Sequence, residues 1–347
     1  MTAEAIARAG LGTRFSAAVL RVEQGGRLVL ESAFGRVDDA PESLPVDVTT
    51  SFDLASLTKP FVAAAALRAV AEGRLALDTP LTEWITEWRG SSHEAITLRA
   101  LLAHTSGMQS GADYRTLLGE NVEEFALRRE LAAAPFERVI YSDLGFIALG
   151  VLLSRVYGMS LLRVLGDACA AFGATEARYR PRAAEISAIP ATECDDWRGR
   201  VRGTVHDEKA HLMNGVAGHA GLFGTARDVA VLTEVFLGPL CGRAHAALPP
   251  GLAHEAIVEQ GSDAVLRRGL GWALKTSDEN SCGEAMSRST FGHTGFTGTC
   301  VWADSVRDLS IVLLTNAVYF GRNDLRDLRA AACDAVVAEV DRCALSA

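Results

Sequence analysis

The stretch FDLASLTKPF, Phe52–Phe61, places Lys59 three residues after Ser56. Residues three apart on a helix share a face, so a helix beginning here brings hydroxyl and amine together. Pro60 permits that start, because the first turn of a helix has no use for its missing amide proton. Lys59 is one of three lysines, with Lys209 and Lys275, whereas 31 of the 34 Lys and Arg residues are arginine. A serine hydroxyl attacks well only when a neighbouring base takes its proton. Lysine can do so when burial lowers its pKa, and arginine cannot. Chemistry of that kind resists replacement of lysine by arginine. The pattern is short and common, and an arginine excess also follows from genome composition. His206 and Trp272 stand three residues before the other two lysines, so neither repeats it.

Two further stretches follow. In VIYSDLGFIALG, Tyr141-Ser142-Asp143 precede a helical pattern. A tyrosine there can relay protons between nucleophile and leaving group if cations such as Lys59 hold its phenolate form. Asp143 can accept from Lys59 or from a substrate amide; taken alone it reads as an ordinary helix N-cap. In FGHTGFTGTCVWAD, His293-Thr294-Gly295 lead into a strand. Gly295 lets a substrate acyl group approach the backbone. The Phe296 amide can pair with that of Ser56 as an oxyanion hole. His293 is a candidate proton carrier or substrate donor, although a lone histidine before a glycine turn is most often structural.

The ordered set Ser56-Leu57-Thr58-Lys59, Tyr141-Ser142-Asp143 and His293-Thr294-Gly295 resembles the signature of the serine β-lactamase and penicillin-binding-protein superfamily. The tyrosine motif is similar to the class C and D-alanyl-D-alanine carboxypeptidase branch. LLAHTSGM (101–108), AGLFGTARDVA (220–230) and IVLLTNAVYF (311–320), which contains Asn316, resemble it too, so the likeness covers about residues 14 to 340. The strings VHDEKA, GHAGLF and GHTGFTGT look like a subgroup of carboxypeptidases and muramoyl-peptide amidases.

The resemblance implies an acyl-enzyme mechanism without metal or organic cofactor. Ser56 is the expected nucleophile, and Lys59, Tyr141 and His293 the proton-handling residues. Asp143, Thr294, Gly295, His219 and Asn316 are expected to bind substrate. The expected reaction is cleavage of an amide or peptide bond in a peptidoglycan-derived peptide. The rivals are a carboxylesterase and a non-catalytic penicillin-recognising protein. Two departures stand out. The third motif reads H-T-G where β-lactamases carry K-T-G, which predicts weak recognition of substrate carboxylates and possible sensitivity to pH. Asp143 replaces an asparagine of the lactamase pattern. An efficient β-lactamase is not expected.

The rest of the sequence sets the frame. Hydrophobic residues make up 49% and charged residues 22%, as in ordinary globular proteins. A net charge of −9 gives nucleic-acid binding no support, so the expected partner is a small molecule or short peptide. No apolar run reaches membrane-spanning length. Seven scattered cysteines without a C-x-x-C pair, and no signal-peptide pattern, predict a cytoplasmic location. His206, Asp207, Glu208, His211 and His219 are too irregularly spaced for a metal motif and are read as lining the site.

Alternation over 13–36 predicts two strands turning at Gly25-Gly26. Helices are expected from Ser56 to Glu72 and over 97–103, 122–132, 143–157, 226–237 and 322–340. Strands are expected over 268–275, 299–304 and 308–314. The predicted fold is therefore α/β and β-lactamase/transpeptidase-like. An antiparallel sheet (1–75 with 265–347) is flanked by the terminal helices, with a helical subdomain (76–264) inserted; together they form one catalytic domain. Residues 173–205 read as the least regular segment.

Overall fold

The computed structural model describes residues 1–262, 267–277 and 281–345. Its centre is an eight-stranded sheet built from both ends of the chain. In spatial order the strands are Arg27–Gly35, Ala17–Gln24, Leu309–Thr315, Cys300–Asp304, Phe291–Thr294, Ala273–Leu274, Arg267–Arg268 and Gly261–Ser262. Every pair is antiparallel. The first hairpin turns at Gly25-Gly26, both at positive φ. The strand expected over 268–275 is instead two short strands, because the chain turns through Gly271 at φ 81°. The expected boundary at 264/265 lies outside the described residues.

The central strands are buried on both sides, so their sequence reads as continuous apolar runs. Ala18, Leu20 and Val22 pack with Ala3 and Ala7 of the helix Ala3–Ala9 and with Val336 and Val340 of the helix Arg326–Leu345. Ala17, Val19, Val312 and Leu314 face the larger core, which includes Val229 and Phe236 of the helix Ala226–Leu240. Terminal helices thus cover one face as expected. The opposite face is covered by a helix of the central segment, a partner that sequence periodicity does not specify.

A three-residue 3-10 turn, Ala55–Leu57, feeds the helix Thr58–Ala71. That helix is buried nearly all round, since six of its 14 residues are alanine and admit close neighbours. It touches the helices Asp143–Tyr157 and Leu161–Phe172. Residues 173–205 carry a strand at Arg178–Tyr179 and a hairpin pairing Cys194–Asp195 with Gly199–Arg200. Among the described residues no single helix is long and apolar enough to cross a membrane.

Candidate active site

Ser56 is held at the junction of sheet and helices. Phe52 and Asp53 pair with Phe223 and Gly224, and the Leu54 amide donates to the Leu222 carbonyl. The buried Asp53 carboxylate accepts from the amides of Ala55 (2.8 Å) and His206 (2.6 Å), and burial raises its pKa despite those bonds. Ala55 then takes φ 46°, a left-handed conformation costing an alanine about 1 kcal/mol. This kink turns the chain from strand into helix immediately before the nucleophile candidate.

One helical turn on, Lys59 is fully buried. Its ammonium donates to Ser56 Oγ (3.0 Å) and the His219 carbonyl (3.0 Å), and pairs with Asp143 Oδ1 (2.8 Å). Those three partners match its three protons. Burial opposes the charge, but Asp143 and then Tyr141 outweigh it and hold the Lys59 pKa above its ordinary value. The expectation that burial frees Lys59 to act as a base is corrected: in the resting site it is an ammonium.

Asp143 begins the helix Asp143–Tyr157, but Ser142 is its N-cap. Ser142 Oγ accepts from the Gly145 amide (2.9 Å) and donates to the Gln109 carbonyl (2.6 Å). Asp143 is thereby free to face inward, between Lys59 and Lys209 (3.3 Å). Lys209 also reaches Asp207 (3.2 Å), and Asp207 receives His219 Nε2 (2.8 Å). Burial would raise both carboxyls, but Lys59 for Asp143 and His219 for Asp207 pull them below their usual range. Asp143, Asp207 and His219 form a cluster dense enough for a metal ion. The Lys209 ammonium already bridges the two carboxylates, so their charge is met from within the protein.

His219 is 1% exposed, and its ring faces Asp207 while its backbone carbonyl serves Lys59. The expectation that it binds substrate is corrected to a positioning contact. Gly218 beside it has no room for a Cβ, which would lie 1.9 Å from the Phe146 carbonyl. Asn316 is also corrected. It is 1% exposed and spends its amide on the Ser16 and Ala17 amides, Ser16 Oγ and the Ala191 carbonyl. It ties the first strand to the central segment. Of the remaining histidine-rich segment, His206 pairs with Glu193 (2.8 Å), and His211 meets the edge of Trp197. Glu208 pairs with Arg322 (2.9 Å).

Tyr141 stands among rings and cations. His104 packs on it with ring centres 4.6 Å apart and accepts the Ser142 amide at Nδ1 (3.0 Å), fixing the loop. Lys59 Nζ lies 4.9 Å from the Tyr141 ring centre, and the Arg268 guanidinium lies 5.1 Å from it. His293 faces it at 6.0 Å. Burial, then Lys59 and Arg268, push the His293 pKa down to about 3. Its Nδ1 lies 2.9 Å from the Thr294 carbonyl, so Nδ1 carries the proton and Nε2 is a buried acceptor with no partner among the described residues. The expected pH sensitivity at His293 is corrected: the ring stays neutral across the physiological range.

Ser56, Tyr141, His293, Thr294, Gly295 and Phe296 line one cavity of about 800 Å³, together with Arg268. Neither the Ser56 nor the Phe296 amide donates to a protein acceptor among the described residues, as an oxyanion hole requires. Gly295 is needed for a reason other than substrate approach. A Cβ there would lie 2.1 Å from Thr299 Oγ1 and 2.7 Å from the Leu54 carbonyl. The glycine lets the third motif press against the turn that carries Ser56. Phe296 is 56% exposed and stacks on His206. Arg268, His104 and Lys209 were not singled out as site residues. Only the LLAHTSGM and VHDEKA strings hinted at the last two, and two-residue strands give Arg268 no periodicity to reveal it.

The Beta-lactamase family model matches residues 3–335. A protein of Escherichia coli (strain K12) named "Putative D-alanyl-D-alanine carboxypeptidase" is 30% identical over 344 residues, covering 86% of this chain and 77% of that protein. Esterase EstB of Burkholderia gladioli is 30% identical over 351 residues, covering 89% and 88%. Among solved structures, EstCE1, a hydrolase with promiscuous acyltransferase activity, superposes with a TM-score of 0.79 at 21% identity, covering 96% and 97%. The chain is a member of the β-lactamase family of serine hydrolases, with the β-lactamase/transpeptidase-like fold.

Proposed function

We propose that this serine hydrolase cleaves a peptide bond in a peptidoglycan-derived peptide, with Ser56 as nucleophile. The observation that carries the proposal is the Ser56 Oγ–Lys59 Nζ contact of 3.0 Å at a cavity of about 800 Å³, which admits a peptide. Lys59 is already protonated, so Tyr141, entering the step as its phenolate, takes the Ser56 proton while the ammonium holds Oγ in place. Ser56 Oγ bonds to the scissile carbonyl carbon, and the Ser56 and Phe296 amides receive the oxyanion. Tyr141 passes its proton to the amine nitrogen as the C–N bond breaks. Tyr141 then takes a proton from the water that attacks the acyl-enzyme carbonyl carbon, and returns it to Ser56 Oγ as the acyl carbon–Oγ bond breaks. Thr294 lines the cavity as a substrate contact, and neutral His293 offers Nε2 as an acceptor.

A small-ester hydrolase is the second reading, supported by the likeness to EstB. Incubation with defined muropeptides and with short-chain p-nitrophenyl esters separates the two. Ser56-dependent release of an amino acid or peptide from a muropeptide is expected. Turnover of esters alone would replace the peptide reading by the esterase one.

A further inference from the structure

The Ser56 and Phe296 amides, which receive the oxyanion, belong to peptides that are held differently at their far ends. In a trans peptide the C=O and N–H point opposite ways, so whatever holds the carbonyl aims the amide. Behind the Ser56 amide stands the Ala55 carbonyl, which accepts from the neutral Thr58 amide. Behind the Phe296 amide stands the Gly295 carbonyl. It accepts from the Gly298 amide (3.1 Å) and from Nη2 of Arg329 (3.1 Å). One half of the hole is therefore backed by backbone alone, and the other by a cation.

Arg329 belongs to the first turn of the helix Arg326–Leu345, which carries none of the three motifs. The same Nη2 reaches the Thr299 carbonyl (3.2 Å), which the Gly295 amide also meets (2.7 Å). The turn 295–299 is fixed independently by two side chains. Thr297 Oγ1 donates to the Asp53 carbonyl (2.8 Å) and Thr299 Oγ1 to the Leu54 carbonyl (3.1 Å). Holding the turn in place therefore needs no charge, and a charge is what Arg329 adds. Other arginines of the cavity direct theirs at carboxylates: Arg267 at Glu259, Arg322 at Glu193 and Glu208, and Arg326 at Asp324. Among the described residues no carboxylate pairs with Arg329, and its Nε is buried without a partner.

A cation on a peptide oxygen draws electron density away from the amide, and in a water-poor site such linked bonds strengthen one another. When Ser56 Oγ bonds to the acyl carbon, the carbonyl electron pair moves to oxygen and the Phe296 N–H meets that charge. A guanidinium one peptide away strengthens that bond without touching the substrate.

We propose that Arg329 is a positioning residue that polarises the Gly295–Phe296 peptide, making the Phe296 amide the stronger half of the oxyanion hole. The proposal rests on the acyl-enzyme reading of Ser56 but not on the identity of the substrate.

The test takes two readouts on the full chain. One is kcat/KM for p-nitrophenyl acetate. The other is inhibition by phenylboronic acid, whose tetrahedral adduct on Ser56 places a negative oxygen in the hole. Neither compound carries a carboxylate, so neither reports direct anion binding by Arg329. Arg329→Met is expected to lower kcat/KM about tenfold, less than the loss of a whole oxyanion donor, and to raise the boronate Ki by a similar factor. Arg329→Lys keeps the charge and Arg329→Gln keeps neutral donors, so Arg329→Lys is expected to retain more of both. In infrared difference spectra, the isotope-labelled carbonyl of the acetyl-enzyme is expected to move to higher wavenumber in Arg329→Met. If Arg329→Met folds poorly, the order of Arg329→Lys above Arg329→Gln carries the test. Unchanged kcat/KM and Ki in folded Arg329→Met overturn the proposal. So does an unmoved carbonyl stretch, and so does Arg329→Gln matching Arg329→Lys, which reduces the residue to a neutral clip. Esterolysis that survives Ser56→Ala overturns the acyl-enzyme reading itself, and this proposal with it.

Discussion

The two walls of the cavity are built on opposite principles. On the Ser56 wall every charge is answered: Lys59 by Asp143, Asp143 by Lys209, Lys209 by Asp207 and Asp207 by His219. On the facing wall, among the described residues, Arg268 has no counterion and Nε2 of His293 has no donor. A closed network fixes geometry, because moving one member strands its neighbour in a poor dielectric. Open groups do the reverse and wait for a ligand to complete them. The first wall is therefore suited to positioning the nucleophile, and the second to choosing what it meets.

The largest effect belongs to the first wall. Ser56→Ala is expected to reduce turnover of an activated ester by about 10³-fold or more while the melting temperature stays near that of the wild type. Retained turnover would move the nucleophile elsewhere. Lys59→Arg keeps a charge but is expected to lose about 10²-fold or more in kcat, because a planar fork cannot meet three acceptors arranged around a point. Near-normal kcat in that variant would mean that only charge matters at this position.

Asp207→Asn sharpens the contrast from a distance. It leaves Lys209 and His219 partly uncompensated, so urea unfolding is expected to report a loss of about 3 kcal/mol. A loss under about 0.5 kcal/mol would mean that solvent screens this network as it does surface pairs.

The pH dependence is the mildest test. His293 has a folded pKa below its unfolded one, so its neutral form contributes fully above about pH 6.5. The unfolded chain takes up a proton first as pH falls, and by pH 5 this ring alone costs about 2 kcal/mol of stability. Asp143 and Asp207, with depressed values, keep their contribution until the pH falls below the ordinary carboxylate range. His293→Gln is expected to flatten the loss between pH 6.5 and 5 in unfolding titrations. An unchanged slope would show that another group controls it, the buried His104 first.

The same division separates what the sequence revealed from what it hid. Ser56 and Lys59 are three residues apart, and Asp143 opens a periodic helix, so local spacing carried them. The helix Asp143–Tyr157 appears at its expected bounds for the same reason. The helix expected over 122–132 ends at Arg128, where the backbone of Arg129 turns to φ −63°, ψ 131°. Asn316 looked like a site residue because its neighbours resemble the family, yet its amide is consumed 300 positions away by Ser16 and Ala17. The Lys59 pKa could not be read locally either, since it depends on Asp143 and Tyr141 arriving from elsewhere. Arg268 becomes meaningful only once the sheet sets it against Tyr141. Spacing displays a residue's neighbours along the chain and hides the partners that determine its charge.

The most direct test of the account is intact-mass analysis of the wild type and Ser56→Ala during turnover of an activated ester, followed by peptide mapping. The account predicts an acyl adduct in the wild type alone, located on the peptide containing Ser56. An adduct of the same mass in Ser56→Ala, or one mapping to another residue of the wild type, would contradict it.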